Sequence, residues 1–380
     1  MKLSAVILDE PTSSFAAVLT QNAFYGAPIK LAREVLQEEQ VRGVLVNTKI
    51  ANVGAPGGYE DAKTLQRVLA QNLGAPENQF FVLSTGIIGW KLPVNDMVQE
   101  LPKLVGGLGQ GELIDLAKAI MTTDSYPKLR CVPLGDGQLC GVIKGAGMIE
   151  PNLATMIGLV FTDVSISRDE LREALSKAAQ ESFNLISVDG DQSTSDAVLA
   201  FSSNKKPPVS SSEFRERLTQ LCQQLAEDVV RNGEGAAHVL EVRVRGAPSE
   251  AVARATARQI INSPLVKTAI YGNDPNVGRI LAAAGSRLGQ ILPQIDLSGL
   301  QLSIGDHLVY GEGRFQLNTQ LEKLLSDYLV GQSMPEVRDF PQHERNVTVE
   351  LNLNQGQAQA RLLGNDLSHE YIKINADYRS

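Results

Sequence analysis

The sequence predicts an α/β protein of the mixed α+β kind, with mixed β-sheets packed against covering helices. Apolar segments with strand-like and helix-like spacing alternate through the first half of the chain. Two serine-led helix starts follow in the middle, and strands and helices mix again beyond Ala236. No internal repeat or extended low-complexity tract interrupts the pattern.

Each element has its own signal. "GVLVN" (Gly43 to Asn47) reads as a buried strand. "YEDAKTLQRVLAQNL" places Ala62, Leu65, Leu69 and Leu73 at helical spacing, with Gly74 as a stop. "FFVLSTG" (Phe80 to Gly86) is a second strand ending in small residues. "GELIDLAKAIM" puts Leu113, Leu116, Ala117 and Ile120 on one helical face, and "LRCVPLGDGQLCGVI" reads as a hairpin turning at Gly135-Asp136-Gly137. Ser167 with Glu170, and Ser210 with Glu213, have capping-box spacing ahead of apolar helical runs, the second stopping near Gly233. "SSNKKPPVSSS" (Ser202 to Ser212) reads as an exposed loop, and "VTVELNLNQGQAQARLL" as a late hairpin.

Bulk properties narrow the function. The chain has 380 residues, enough for one large or two ordinary domains, with 43% hydrophobic and 21% charged residues. A formal charge of −8 argues against nucleic acid as a partner. No apolar run approaches the roughly 20 residues that span a bilayer, so no membrane partner is expected. "MKLSAVILDEPTSS" lacks the features of a signal peptide. The cysteines are Cys131, Cys140 and Cys222; their odd number and irregular spacing argue against a disulfide framework and for a reducing cytoplasm.

Most chemical motifs fail on inspection. "GGLGQG" (Gly106 to Gly111) lacks dinucleotide spacing and reads as a connection. "DGDQSTSD" (Asp189 to Asp196) begins like a calcium loop. However, Thr194 stands at the turn glycine and Ala200 at the closing glutamate, so an Asx-type turn and helix cap fits better. His238, His307, His343 and His369 show no metal spacing, and no G-x-S-x-G elbow is present.

"KGAGMIEPNLATMIGLVF" leaves Thr155 immediately before an apolar run. On spacing alone, a strand-opening threonine whose hydroxyl satisfies a backbone group explains it. The alternative is chemical. A threonine hydroxyl needs a base, and a terminal α-amine with a pKa near neutrality is one. Thr155 acquires such an amine if it attacks the carbonyl of Ala154 and cuts the chain there. The glycines and Pro151 suit the tight backbone this requires.

"KGAGMIEPNLATM" resembles the self-cleavage site of the ornithine acetyltransferases, the bifunctional glutamate N-acetyltransferases of arginine biosynthesis. "STGIIG", "AIMTTDSYPK", "FNLISVDGDQSTSDAV", "GEGAAH", "SPLVKTAIYGNDPN" and "DLSHEYIKINADYRS" match in family order over nearly the whole chain. The resemblance implies the self-processing fold of that family, with an α-chain segment 1–154 and a β-chain segment 155–380 assembled as a heterotetramer of two each. It implies that Thr155 is the nucleophile and that Thr85 and Gly86 form an oxyanion hole. Substrate contacts would come from Thr122, Lys144, Thr155, Glu234, Asn375 and Ser380. N2-acetylornithine and glutamate are the implied substrates, with acetyl-CoA a candidate second donor and no metal or held cofactor required.

Pairing of Lys144 with the substrate carboxylate and of Glu234 with its distal ammonium is our own assignment. The ending "YIKINADY" alternates as a docked strand would, carrying Asn375 and Ser380 to the site. Three departures bear on substrate choice: a shorter start than is usual in the family, "VNTKIANVGAPGGYEDA" in place of the usual "VNSGNANA", and Val277 where tryptophan is common. The rival readings are an N-terminal-nucleophile amidohydrolase that passes the acyl group to water, and an uncleaved, non-catalytic metabolite-binding paralogue.

Overall fold

The computed structural model describes residues 1–150, 156–334 and 344–377; Ala154, Thr155 and Ser380 lie outside these. The first part of the chain runs β1 (Leu3–Thr12), β2 (Phe15–Leu19), α1 (Ala27–Val35), β3 (Val41–Asn47), α2 (Gly58–Leu73), β4 (Phe80–Ser84), α3 (Val94–Gly106), α4 (Leu113–Ile120), β5 (Lys128–Leu134) and β6 (Gly137–Lys144). Next come β7 (Ile157–Val164), α5 (Arg168–Gln180), β8 (Ile186–Ser187), β9 (Ala197–Lys206), α6 (Ser211–Arg231), β10 (Val239–Ala247), α7 (Glu250–Ile261), α8 (Pro264–Tyr271) and α9 (Val277–Ile291). The last part holds β11 (Gln301–Ile304), β12 (His307–Gly311), β13 (Arg314–Phe315), α10 (Thr319–Gln332), β14 (Val347–Asn352), β15 (Ala358–Asn365) and α11 (His369–Ala376). The mixed α/β class predicted from the sequence is what the chain adopts.

The chain divides into two units. Unit one comprises Met1–Asn184 and Asp191–Val229. It holds a sheet of order β1-β3-β4 and a second of order β2-β9-β7-β6-β5. The pleat explains the apolar run in β3: Val44 and Val46 join a core shared with the second sheet, while Leu45 joins the core under α2 and α3. On the second sheet Val142 points into the shared core, and Gly141, on the opposite face, meets Leu221 and Leu225 of α6. A Cβ at Gly141 would lie 2.5 Å from Leu225 Cδ1, so the helix sits on the strand only because that residue is glycine.

β7 is central in its sheet, parallel to β9 and antiparallel to β6. Its first residue, Ile157, pairs with Lys144 on one side and with Ala197 on the other. The predicted serine caps are present: the Ser167 hydroxyl accepts from the Glu170 amide at 3.3 Å, and that of Ser210 from the Glu213 amide at 3.2 Å.

Unit two comprises Leu185–Gly190 and Val230–Ser380, with a sheet of order β13-β12-β11-β14-β10-β15-β8. Helix α7 packs on β10 and β15, and α9 on α7. The core between them gathers Val242, Val244, Ala257, Ile260, Val349 and Leu351. Val277 belongs to this core.

Several local expectations are corrected. β14 and β15 are not a hairpin, because β10 lies between them, parallel to β14 and antiparallel to β15. The terminal segment around Asn375 is helix α11 rather than a strand, opened by Ser368, whose hydroxyl accepts from the Tyr371 amide at 3.0 Å. "DGDQSTSD" leads into strand β9, not a helix, and β9 runs on to Lys206, so only residues 207–210 of the expected serine-rich loop lie outside an element. Cys131 and Cys140 form a disulfide, against the reduced state expected from their number. They are cross-strand partners in β5 and β6, with Cα atoms 4.1 Å apart, a proximity created by register rather than by sequence spacing.

Candidate active site

In unit one, Thr85 and Gly86 follow directly on β4. The Thr85 amide donates to Asn47 O at 3.0 Å, and Asn47 holds the following turn by donating from Nδ2 to Ile50 O at 2.9 Å. Gly86 has φ +131°, and a Cβ there would lie 2.1 Å from the carbonyl carbon of Lys49. Only glycine fits. The loop that departs from the family's usual sequence therefore forms the wall against which this glycine rests. Among the described residues the Gly86 amide has no acceptor. The Thr85 hydroxyl lies 3.5 Å from Lys144 Nζ, and both side chains are buried. Two residues nominated from sequence, 59 positions apart, thus meet.

Thr122 lies just beyond α4, and its amide donates to Asp124 Oδ2 at 3.1 Å. Asp124 was not anticipated. Its Oδ1 also accepts from Lys128 Nζ at 2.6 Å and from the Gly145 amide at 2.7 Å. Both side chains of the Asp124–Lys128 pair are fully buried. Burial alone would raise the Asp124 pKa. The ammoniums of Lys128 and Lys144, with the Lys128 and Gly145 hydrogen bonds, instead hold it well below the usual carboxylate range. The one acid of "TTD" and a lysine four residues on were the only sequence signal.

Asp196 was also missed. It precedes Ala197, whose amide donates to Met156 O at 2.9 Å, so it lies beside the chain entering β7. It is buried, and among the described residues its Oδ2 has no hydrogen-bond partner. Burial raises its pKa well above the ordinary value, against a Ser193 hydrogen bond and the charge of Lys144.

In unit two, Glu234 sits in the turn Gly233-Glu234-Gly235. Gly235 has φ +63° and its carbonyl accepts from Ser368 Oγ at 2.6 Å, fixing the turn to the start of α11. In the last turn of that helix, Asn375 Nδ2 donates to Glu234 Oε2 at 2.8 Å. Glu234 is buried, not the surface acid its place after a helix would suggest. A further pair nominated from sequence is brought together.

Thr155, Ala154 and Ser380 lie outside the described residues. The described chain resumes at Met156, one residue before the cross-strand partner of Lys144. Among the described residues no group of three or more His, Cys, Asp or Glu side chains is arranged to hold a metal, and no helix is long and apolar enough to cross a membrane.

Comparison with known proteins gives this arrangement its context. The chain is 39% identical to "Arginine biosynthesis bifunctional protein ArgJ" of Dehalococcoides mccartyi, over 98% of this chain and 90% of that protein. It is 36% identical to "Glutamate N-acetyltransferase" of Methanopyrus kandleri, over 99% and 95% respectively. The crystal structure of arginine biosynthesis bifunctional protein ArgJ from Bacillus halodurans matches with a TM-score of 0.50 and 32% identity, covering 58% of this chain and 98% of that one. The chain is thus an enzyme, an acetyltransferase of arginine biosynthesis. It belongs to the ArgJ family, whose model matches residues 2–380.

Proposed function

We propose that the enzyme cuts itself between Ala154 and Thr155, and then carries the acetyl group of N2-acetylornithine to glutamate on the Thr155 hydroxyl. The observation that carries this reading is the unit-one cluster: a Gly86 amide without an acceptor among the described residues and the Thr85 hydroxyl, with the Lys144 ammonium 3.5 Å from that hydroxyl. Such donors suit the oxyanion of an acyl-transfer intermediate. Ile157, two residues after Thr155, pairs with Lys144, which supports a nucleophile delivered at this end of β7.

In this reading the Thr155 oxygen bonds to the acetyl carbon while its α-amine takes the hydroxyl proton. The amide C–N bond then breaks, and the α-ammonium returns the proton to the departing ornithine nitrogen. Glutamate reverses the steps, giving ping-pong kinetics. Lys144 would meet the substrate carboxylate and Glu234 the ornithine ammonium. The relatives' name "bifunctional" supports a second acetyl donor, for which acetyl-CoA is the candidate. Assembly of the segments 1–154 and 155–380 as a heterotetramer in the cytoplasm belongs to the same proposal.

The test is incubation with N2-acetylornithine, with and without glutamate. Glutamate-dependent formation of ornithine and N-acetylglutamate supports the reading. Release of free acetate at the same rate without glutamate would favour the amidohydrolase, and an intact, inactive chain the non-catalytic paralogue.

A further inference from the structure

We infer that the Asp124 carboxylate is a positioning residue for the acetyl donor, setting the backbone at Thr122 and at Lys144–Gly145 together. The inference rests on the proposed roles of Thr122 and Lys144 as substrate contacts. Thr122 follows α4, and Lys144 ends β6. Helix α4 packs on β6, and Lys128 of β5 pairs with Ile143 of β6, which brings these two positions near each other. The Asp124 carboxylate joins them directly: one oxygen accepts from the Thr122 amide at 3.1 Å, the other from the Gly145 amide at 2.7 Å. A group with two oxygens in fixed geometry thus sets the spacing of two strand and helix ends that lie 22 residues apart in sequence.

Lys128 makes this arrangement permanent. Its Nζ lies 2.6 Å from Asp124 Oδ1, and neither side chain reaches solvent. Its ammonium also lies 5.2 Å from the centroid of the Tyr126 ring. A buried carboxylate persists only when paired and hydrogen-bonded, and this one accepts three bonds. The groups facing Asp124 are therefore the ammoniums of Lys128 and Lys144 and the two amides. Two buried lysines and one acid would be an expensive way to brace a loop if bracing were all that was needed, because an apolar pair of the same volume does that at least as well. A charge-bearing hub instead fixes direction: the same carboxylate that orders the two amides also orients the field at Lys144, which points to Thr85.

The experiment separates positioning from bracing with two variants of the full chain. Asp124→Glu keeps the charge and its lysine but displaces the carboxylate by one methylene. Asp124→Asn with Lys128→Met removes both members of the Asp124–Lys128 ion pair together, so neither is left without the other, while Lys144 keeps its ammonium 3.5 Å from the Thr85 hydroxyl. Thermal unfolding and steady-state acetyl transfer are measured on each, beside the wild type. Both variants are expected to fold, and kcat/KM for N2-acetylornithine is expected to fall about thirtyfold, the worth of one charge-assisted hydrogen bond. The loss should fall mainly in KM for the donor, with KM for glutamate changed in the same direction because both substrates use one pocket. Wild-type KM and kcat in a folded double variant would overturn the inference, and so would failure of both variants to fold, which would assign the pair to stability alone. An inactive wild type would instead reject the functional reading itself, so the two failures are distinguishable.

Discussion

Lys144 Nζ lies 3.5 Å from Thr85 Oγ1, in the buried end of unit one, next to a Gly86 amide that has no acceptor among the described residues. A cation beside a hydroxyl strengthens that hydroxyl as a donor toward developing negative charge. Thr85→Ala should therefore lower kcat for acetyl transfer by about a hundredfold or more, the typical loss for one oxyanion donor. Thr85→Ser, which keeps the hydroxyl, should recover most of it. Steady-state rates of the two variants check this, and equal losses would assign Thr85 to packing.

Gly86 makes a separate prediction. Its φ of +131° and the 2.1 Å clash awaiting a Cβ mean that Gly86→Ala must push Lys49 and Ile50 away. A cost of about 1–3 kcal/mol is expected, read as a lowered urea midpoint with an unchanged m-value. Acetyl transfer should fall further than stability does, because the same movement displaces the Gly86 amide.

Much of this was legible in the sequence. The alternation of strands and helices, both serine caps and the β5–β6 hairpin follow from local spacing and local hydrogen bonds, which a sequence displays directly. What was not legible was non-local. β14 and β15 look like neighbours along the chain, but the sheet inserts β10 between them, and no periodicity encodes which strand comes third. "YIKINADY" alternates as a strand would, yet Ser368 accepting from the Tyr371 amide commits the segment to a helix. The cap lies in "SHEY", just before the alternating residues, and was missed in the sequence. The disulfide depends on register across a hairpin. Of the site, Thr85 with Lys144 and Glu234 with Asn375 were named by resemblance and meet in space. Asp124 and Asp196 were missed because a single acid carries no pattern. Only their own burial in the fold makes them distinctive.

Glu234 accepts from Asn375 at 2.8 Å, which sharpens the test of its charge. Glu234→Gln retains an oxygen that can accept the same bond, so the fold around α11 should persist. Losing the charge proposed to meet the ornithine ammonium should cost about 2–5 kcal/mol in transfer from N2-acetylornithine. A donor of equal length ending in a neutral group should lose far less. Comparing kcat/KM for the two donors decides it: equal losses would leave Glu234 as a structural acid.

The two buried acids predict opposite pH effects on stability. Asp124 has a lowered folded-state pKa. Its contribution is present above the ordinary carboxylate pKa and is lost as the pH falls through its folded value, on the acid side. Asp196 has a raised folded-state pKa. Above about pH 4 the unfolded chain releases that proton while the folded chain keeps it, so stability falls as pH rises toward the folded value. Urea unfolding of wild type and Asp196→Asn across this range should show the variant gaining on the wild type as pH rises. A difference that is constant with pH would show that Asp196 is ionised in the fold.

The central claim is that Thr155 becomes a new N-terminus and carries the acetyl group. Mass spectrometry of the enzyme under denaturing conditions, after brief incubation with N2-acetylornithine alone, tests both parts at once. The account predicts two fragments, ending at Ala154 and beginning at Thr155, with one acetyl group on the second fragment that disappears when glutamate is added. Thr155→Ala should remain a single chain of 41.0 kDa and acquire no acetyl group. A single unacetylated wild-type chain that still transfers acetyl to glutamate would contradict the account.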